Sequence, residues 1–164
     1  MRTRAFSQAA RDVLEKKNDN DAEFVAILFR DSNSPDKKEW NDKRDSMLWG
    51  FHIAGVEKHG VAAVARPISE AWWLSAIYRR EDANKDCKKL ESRSYGGGVD
   101  HALKIELEEQ LGEAPSRTVL NDMVTSRERE TDYKLIDSES FLAFRRDFEK
   151  AVGLEHLQHT ETTP

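Results

Sequence analysis

Apolar residues recur at helical spacing along most of this chain, and this periodicity limits the fold more than any motif does. The clearest example is the series Val99, Leu103, Leu107 and Leu111, in which the residues stand four positions apart and Gly112 follows directly. Four-residue spacing places side chains on one face of a helix, and glycine is a common helix stop. We therefore expect a helix-dominated fold in which such faces are buried.

Other segments show the same periodicity. Each has a residue near its start that can cap a helix, or a proline that fits the first helical turn. The predicted helices are residues 3–17, a short and highly charged helix that begins near Ser34 and Pro35, residues 68–80, residues 115–124 and residues 138–152.

Shorter apolar runs predict strands. Residues 24–29 are six successive apolar residues, a pattern typical of a central strand that is buried on both faces. Residues 48–65 predict a hairpin with a four-residue turn at 57–60, although a helix over 61–65 remains an alternative. A further short strand is expected at residues 133–136.

The fold class predicted from these segments is α+β. We expect a single helix-dominated domain over residues 1–153 with a small sheet of about three strands, followed by a frayed tail at residues 154–164. A chain of 164 residues with 38% hydrophobic residues is large enough to bury a core of its own.

Charge and composition exclude several classes of protein. The 26 basic and 31 acidic residues give a formal net charge of -5, so general attraction to nucleic acid or to an anionic membrane is not expected. The one cysteine cannot form an intramolecular disulfide, and no segment is long and apolar enough to span a membrane. We expect a small, acidic, soluble protein of the cytoplasm.

Two features predict that the chain binds another protein. Glu106, Glu109 and Glu113 lie opposite the leucines of the periodic helix and form an acidic ridge that can attract a basic partner. The adjacent Trp72 and Trp73 point in different directions on a helix, so we expect one of them near the surface as an interface anchor, with core or dimer packing as the alternative. Our first hypothesis is a non-enzymatic regulator, inhibitor or assembly factor.

A basic segment supports a different hypothesis, nucleic-acid binding. Basic side chains can contact phosphates, and a nearby aromatic ring can stack on a base. Interspersed acidic residues reduce the charge of this segment and can pair with its lysines along a helix. The candidate contacts are Arg79, Arg80, Lys88, Lys89, Arg93 and Tyr95.

A third hypothesis is a magnesium-dependent hydrolase of a phosphate-containing small molecule. Three glycines at 96–98 precede the periodic helix, and this stretch resembles the Nudix hydrolase box, with Glu106, Glu109 and Gly112 matching its end. The resemblance implies that the two glutamates hold Mg²⁺ while the glycine loop contacts phosphate. Ile105 and Gln110 depart from the arginine and the second metal-binding glutamate of that family.

No other pattern predicts a catalytic residue, a metal site or a cofactor. Cys87 has Asp86 beside it, which raises the pKa of a thiol, so we expect a packed apolar residue rather than a nucleophile. His156 and His159 have metal-ligand spacing but stand in the predicted tail.

Overall fold

The computed structural model describes residues 25–82, 84–93, 99–116, 118–120 and 136–153. The predicted helix at 3–17, the glycines at 96–98, residues 133–135 and the tail at 154–164 lie outside this part of the chain. The elements in chain order are β1 (Ala26–Asp31), α1 (Lys37–Ile53), β2 (Gly60–Ala65), α2 (Glu70–Glu81), a 3-10 helix (Lys88–Ser92), α3 (Val99–Leu111) and α4 (Glu139–Ala151).

The predicted α+β class with predominating helices is confirmed. Within the described residues the sheet has two strands rather than about three. Of the third predicted strand, at 133–136, only Ile136 is described, and it lies buried in irregular backbone. No helix in the described part of the chain is both long enough and apolar enough to cross a membrane.

The sheet is parallel. β1 pairs with β2 in a register that runs from Ala26 opposite Gly60 to Asp31 opposite Ala65, and α1 makes the crossover between them. The predicted hairpin over residues 48–65 is wrong, because its first half is helical as far as Ile53 and β2 pairs with β1 instead. Its second half is β2, and the alternative of a helix over 61–65 is also wrong.

Trp49, Phe51 and Ile53 belong to α1, although their alternation suggested a strand. The helix prevails because Trp40, Met47 and Phe51 stand at helical spacing and are all buried. α1 has 17 residues and is therefore not the short helix that we predicted. Its N-cap is also shifted from the predicted position, since the carboxylate of Asp36 accepts the Glu39 amide at 2.9 Å.

Burial on both faces applies to β2 and not to β1. All six residues of β2 are buried, because α1 covers one face and α2 and α4 cover the other. Its alanines allow these helices to approach closely. In β1, Ile27 is 43% and Phe29 is 52% exposed, so the prediction of a fully buried strand at residues 24–29 is corrected.

The three most regular helix predictions are confirmed. α2 follows the cis peptide bond between Arg66 and Pro67, and the N-H of its N-cap residue, Ser69, donates to the Asp31 carboxylate at 2.8 Å. α3 has the predicted bounds, and its fully buried leucines pack against α2. α4 follows its N-cap Ser138 and ends before Gly153, which has a φ of 73°.

A buried ion pair joins four of these segments. Arg66, directly after β2, donates to Glu91 of the 3-10 helix at 3.0 Å, and the Glu91 side chain is 1% exposed. The other carboxylate oxygen of Glu91 accepts the backbone N-H of Ser140 in α4 at 2.9 Å and also the hydroxyl of Ser140. The Ser140 hydroxyl in turn accepts the indole N-H of Trp72 in α2 at 2.7 Å.

Gly60 is the position where β2 approaches α1 most closely. A Cβ atom at Gly60 would lie 2.3 Å from Cγ of Phe51, and that ring is itself buried.

We expect Gly60→Ala to lower the free energy of unfolding by about 1–3 kcal/mol in urea denaturation. In a Phe51→Ala background the same substitution should cost less, because alanine lacks Cγ and Cδ2, two of the three atoms that lie nearest to the added Cβ; equal costs in the two backgrounds would contradict this packing.

Candidate functional site

The three glutamates of the acidic ridge predicted on α3 differ in their contacts. Glu106 accepts the Tyr78 hydroxyl on one carboxylate oxygen and Arg93 on the other. Burial and, secondarily, the bond to Glu106 raise the pKa of Tyr78. Glu109 and Glu113 are exposed and make no ion pair with a described residue. Glu106 therefore ties α3 to α2 and to the segment after the 3-10 helix, and two carboxylates remain for an external partner.

The two tryptophans of α2 differ in environment. Trp72 is buried, lies at 5.2 Å from the Phe141 ring and stacks on Phe144 at 5.8 Å between ring centroids. Trp73 is partly buried against the cluster between α2 and α3. Core packing, which was the alternative in the sequence analysis, describes Trp72, so this side chain is not available to anchor a partner.

The predicted basic segment is divided by internal ion pairs. Arg79 pairs with Asp137, and Arg93 pairs with Glu106. Arg80, Lys88 and Lys89 are exposed, whereas Tyr95 lies outside the described residues. Because two of its cations already face carboxylates, this segment does not present a continuous basic surface in the described part of the chain.

The residues considered for metal binding and nucleophilic chemistry have other contacts. Both carboxylate oxygens of Glu106 are engaged as described, and within the described ranges no group of three or more metal-ligating side chains is found. Cys87 is 1% exposed, and burial raises the pKa of its thiol. The sulfur lies 3.9 Å from the carbonyl oxygen of Ser75, and the side chain packs in the core around α2 and α3.

The outer face of α1 carries the most exposed apolar side chains that the structure describes. Trp49 is 61% and Ile53 is 60% exposed, and they stand one helical turn apart. Asp42 and Asp45 are exposed on the same side of the helix, within about a quarter turn of the two apolar residues at 3.6 residues per turn. The Trp49 ring stacks on His52 at 5.1 Å between centroids. We call these four residues, Asp42, Asp45, Trp49 and Ile53, the α1 face.

The sequence analysis missed the α1 face because it assigned residues 48–56 to a strand. In a strand Trp49, Phe51 and Ile53 share one side, whereas the helix buries Phe51 and leaves the other two in solvent. The signal was present in the spacing of Trp40, Met47 and Phe51, which continues the buried stripe of the preceding charged segment.

Comparisons with protein-family models, with curated proteins and with solved structures find no match to this chain.

The two roles of the ridge glutamates can be separated by mutation. We expect Glu106→Ala to lower the free energy of unfolding by about 1–3 kcal/mol, because it leaves the partly buried Tyr78 hydroxyl and Arg93 without their acceptor. The matched control is Glu109→Ala, which removes an exposed carboxylate that has no ion pair with a described residue. It should change the free energy of unfolding by less than about 0.5 kcal/mol. Equal effects of the two substitutions in chemical denaturation would contradict this division.

Proposed function

We propose that this protein is a non-enzymatic protein-binding module, acting as a regulator, inhibitor or assembly factor, and that it docks a basic segment of a partner protein on the α1 face. The observation that carries the proposal is the exposure of Trp49 beside Ile53 on a helix whose opposite side is fully packed.

The apolar half of the α1 face supplies the anchor. Burying apolar surface stabilises a complex by about 25 cal/mol for every Å² removed from water. Tryptophan is enriched among the residues that dominate the binding energy at interfaces. The fold does not require Trp49 and Ile53 at the surface, since Met47 and Phe51 already hold α1 against the sheet. A partner surface is the environment in which these two side chains would be buried.

The acidic half of the α1 face determines the charge of the partner. Asp42 and Asp45 are exposed and make no ion pair with a described residue. Two free carboxylates next to an apolar anchor complement a segment that carries lysine or arginine beside an apolar side chain. Such charge complementarity mainly accelerates association and favours the correct partner, and its effect weakens with salt.

The alternatives have less support in the geometry. The hydrolase hypothesis needs Glu106 as a metal ligand, whereas both of its oxygens accept hydrogen bonds from the protein. The nucleic-acid hypothesis needs Arg79 and Arg93, which face Asp137 and Glu106. The ridge hypothesis keeps two exposed carboxylates, Glu109 and Glu113, and this smaller surface serves as the control below.

The test compares three variants as bait in one native lysate. We expect the proteins retained by the wild type at about 0.15 M salt to be lost with Trp49→Ala and with Asp42→Lys/Asp45→Lys, because these remove the anchor and reverse the charge. Glu109→Lys/Glu113→Lys changes the same number of charges elsewhere and should retain them. A photo-crosslinking residue at position 49 then identifies by mass spectrometry the peptide that touches the α1 face.

Each outcome bears on the proposal. Loss confined to the α1 variants, with a crosslinked peptide that is rich in basic residues, supports it. Retention by the Trp49→Ala variant, or loss only in the Glu109→Lys/Glu113→Lys variant, would overturn it. Crosslinks that join only two copies of this chain would show that the α1 face mediates self-association, which would also overturn the proposal of a basic partner.

A further inference from the structure

A polar cleft lies on the side of the molecule where the buried ion pair reaches the surface. It has a volume of about 510 Å³, which falls within the usual range of small-molecule sites. Its walls come from α1, from the segment after β2, from the 3-10 helix and from α4. The cleft therefore shares its walls with the elements that the Arg66 network holds together.

Cations from four different segments line this cleft. They are Arg44, Arg66, Lys88 and Arg146. Arg44 pairs with Asp147, and Arg66 pairs with Glu91 and Glu139. Lys88 is exposed and has no ion pair with a described residue. The Arg146 side chain is 70% exposed, and its Nε lies 3.9 Å from Oδ1 of Asp147, which is beyond hydrogen-bond distance. Two cations on the walls of the cleft are thus available to an external anion.

Some buried polar atoms of the wall residues have no hydrogen-bond partner among the described residues. The Nε-H groups of Arg44 and Arg66 are buried without an acceptor, and Oδ1 of Asp137, another wall residue, is buried without a donor. The Arg66 side chain is nine-tenths buried, and its guanidinium group lies 5.5 Å from the ring centroid of Trp40, also in the wall. Buried polar groups in native proteins are almost always hydrogen-bonded, so we expect polar atoms of water or of a ligand beside these groups.

We propose that this cleft binds a small organic phosphate, a molecule with one phosphomonoester group and at least one hydroxyl group. Lys88 and Arg146 neutralise the phosphate, Arg44 and Arg66 supply further donors, and Asp137 accepts the hydroxyl of the ligand. A phosphomonoester carries close to two negative charges and three acceptor oxygens at pH 7, which suits several converging donors better than a carboxylate does.

The acidic wall residues limit the size of the anion. Glu91, Asp137 and Glu139 also line the cleft, and a chain of phosphates would bring several negative charges close to them. A single phosphate can remain near Lys88 and Arg146. The same carboxylates therefore favour a small monophosphate over a nucleic acid, and this site is independent of the α1 face and of the proposal made for it.

Calorimetric titration of the full-length protein at low salt tests the assignment with matched probes. A hexose monophosphate should bind, the same hexose without phosphate should not, and the corresponding hexuronate should bind at least about tenfold more weakly. Inorganic phosphate, which lacks the sugar hydroxyls that reach Asp137, should also bind more weakly than the hexose monophosphate. A nucleoside monophosphate in the same series distinguishes a sugar phosphate from a nucleotide as the source of the group.

The variants use exposed positions so that folding is preserved, which circular dichroism checks. We expect Lys88→Ala and Arg146→Ala each to weaken binding of the hexose monophosphate or nucleoside monophosphate by about tenfold. Lys89→Ala removes the same charge one residue away, outside the cleft, and should leave the affinity unchanged. Affinity equal to wild type in both cleft variants, or no binding of any phosphate probe at millimolar concentration, would overturn the proposal.

Discussion

The ion pair between Arg66 and Glu91 is the interaction on which the described fold depends. Two charges in a protein interior cost several kcal/mol each unless both are hydrogen-bonded, and here Glu139 accepts a second bond from Arg66 while Ser140 donates to Glu91. The bonds connect the end of β2, the 3-10 helix, α4 and, through Trp72, α2. These segments are far apart in sequence, so the network fixes how the helices sit on the sheet that β1 and β2 form.

The local periodicity of apolar residues predicted α2, α3 and α4, but it could not predict which strands pair with each other. α2, α3 and α4 each bury a stripe that a short window of sequence reveals. The parallel pairing of β1 with β2 requires a crossover, and the alternating Trp49, Phe51 and Ile53 imitated a strand where the crossover helix runs. Glu91 could not be recognised either, because it stands among charged residues that sequence alone places in solvent.

The predicted charged surfaces are smaller in the structure for a related reason, since charge was summed along the chain while the fold pairs it across elements. Glu106 of the predicted ridge and Arg93 of the predicted basic segment form one ion pair, which removes a member from each surface. The residues left available, Asp42 and Asp45 on α1 and Lys88 and Arg146 at the cleft, lie on elements whose packing determines which side faces water. Both proposed sites therefore follow from tertiary structure and only indirectly from composition.

A double-mutant cycle on Arg66→Met and Glu91→Gln, read as free energies of unfolding in urea, tests the central role of the ion pair most directly. We expect each single substitution to lower the free energy of unfolding by about 3–5 kcal/mol, because it removes the buried partner of a buried charge. We also expect the double variant to lose clearly less than the sum of the two. Additive losses, or single losses below about 1 kcal/mol, would contradict this role.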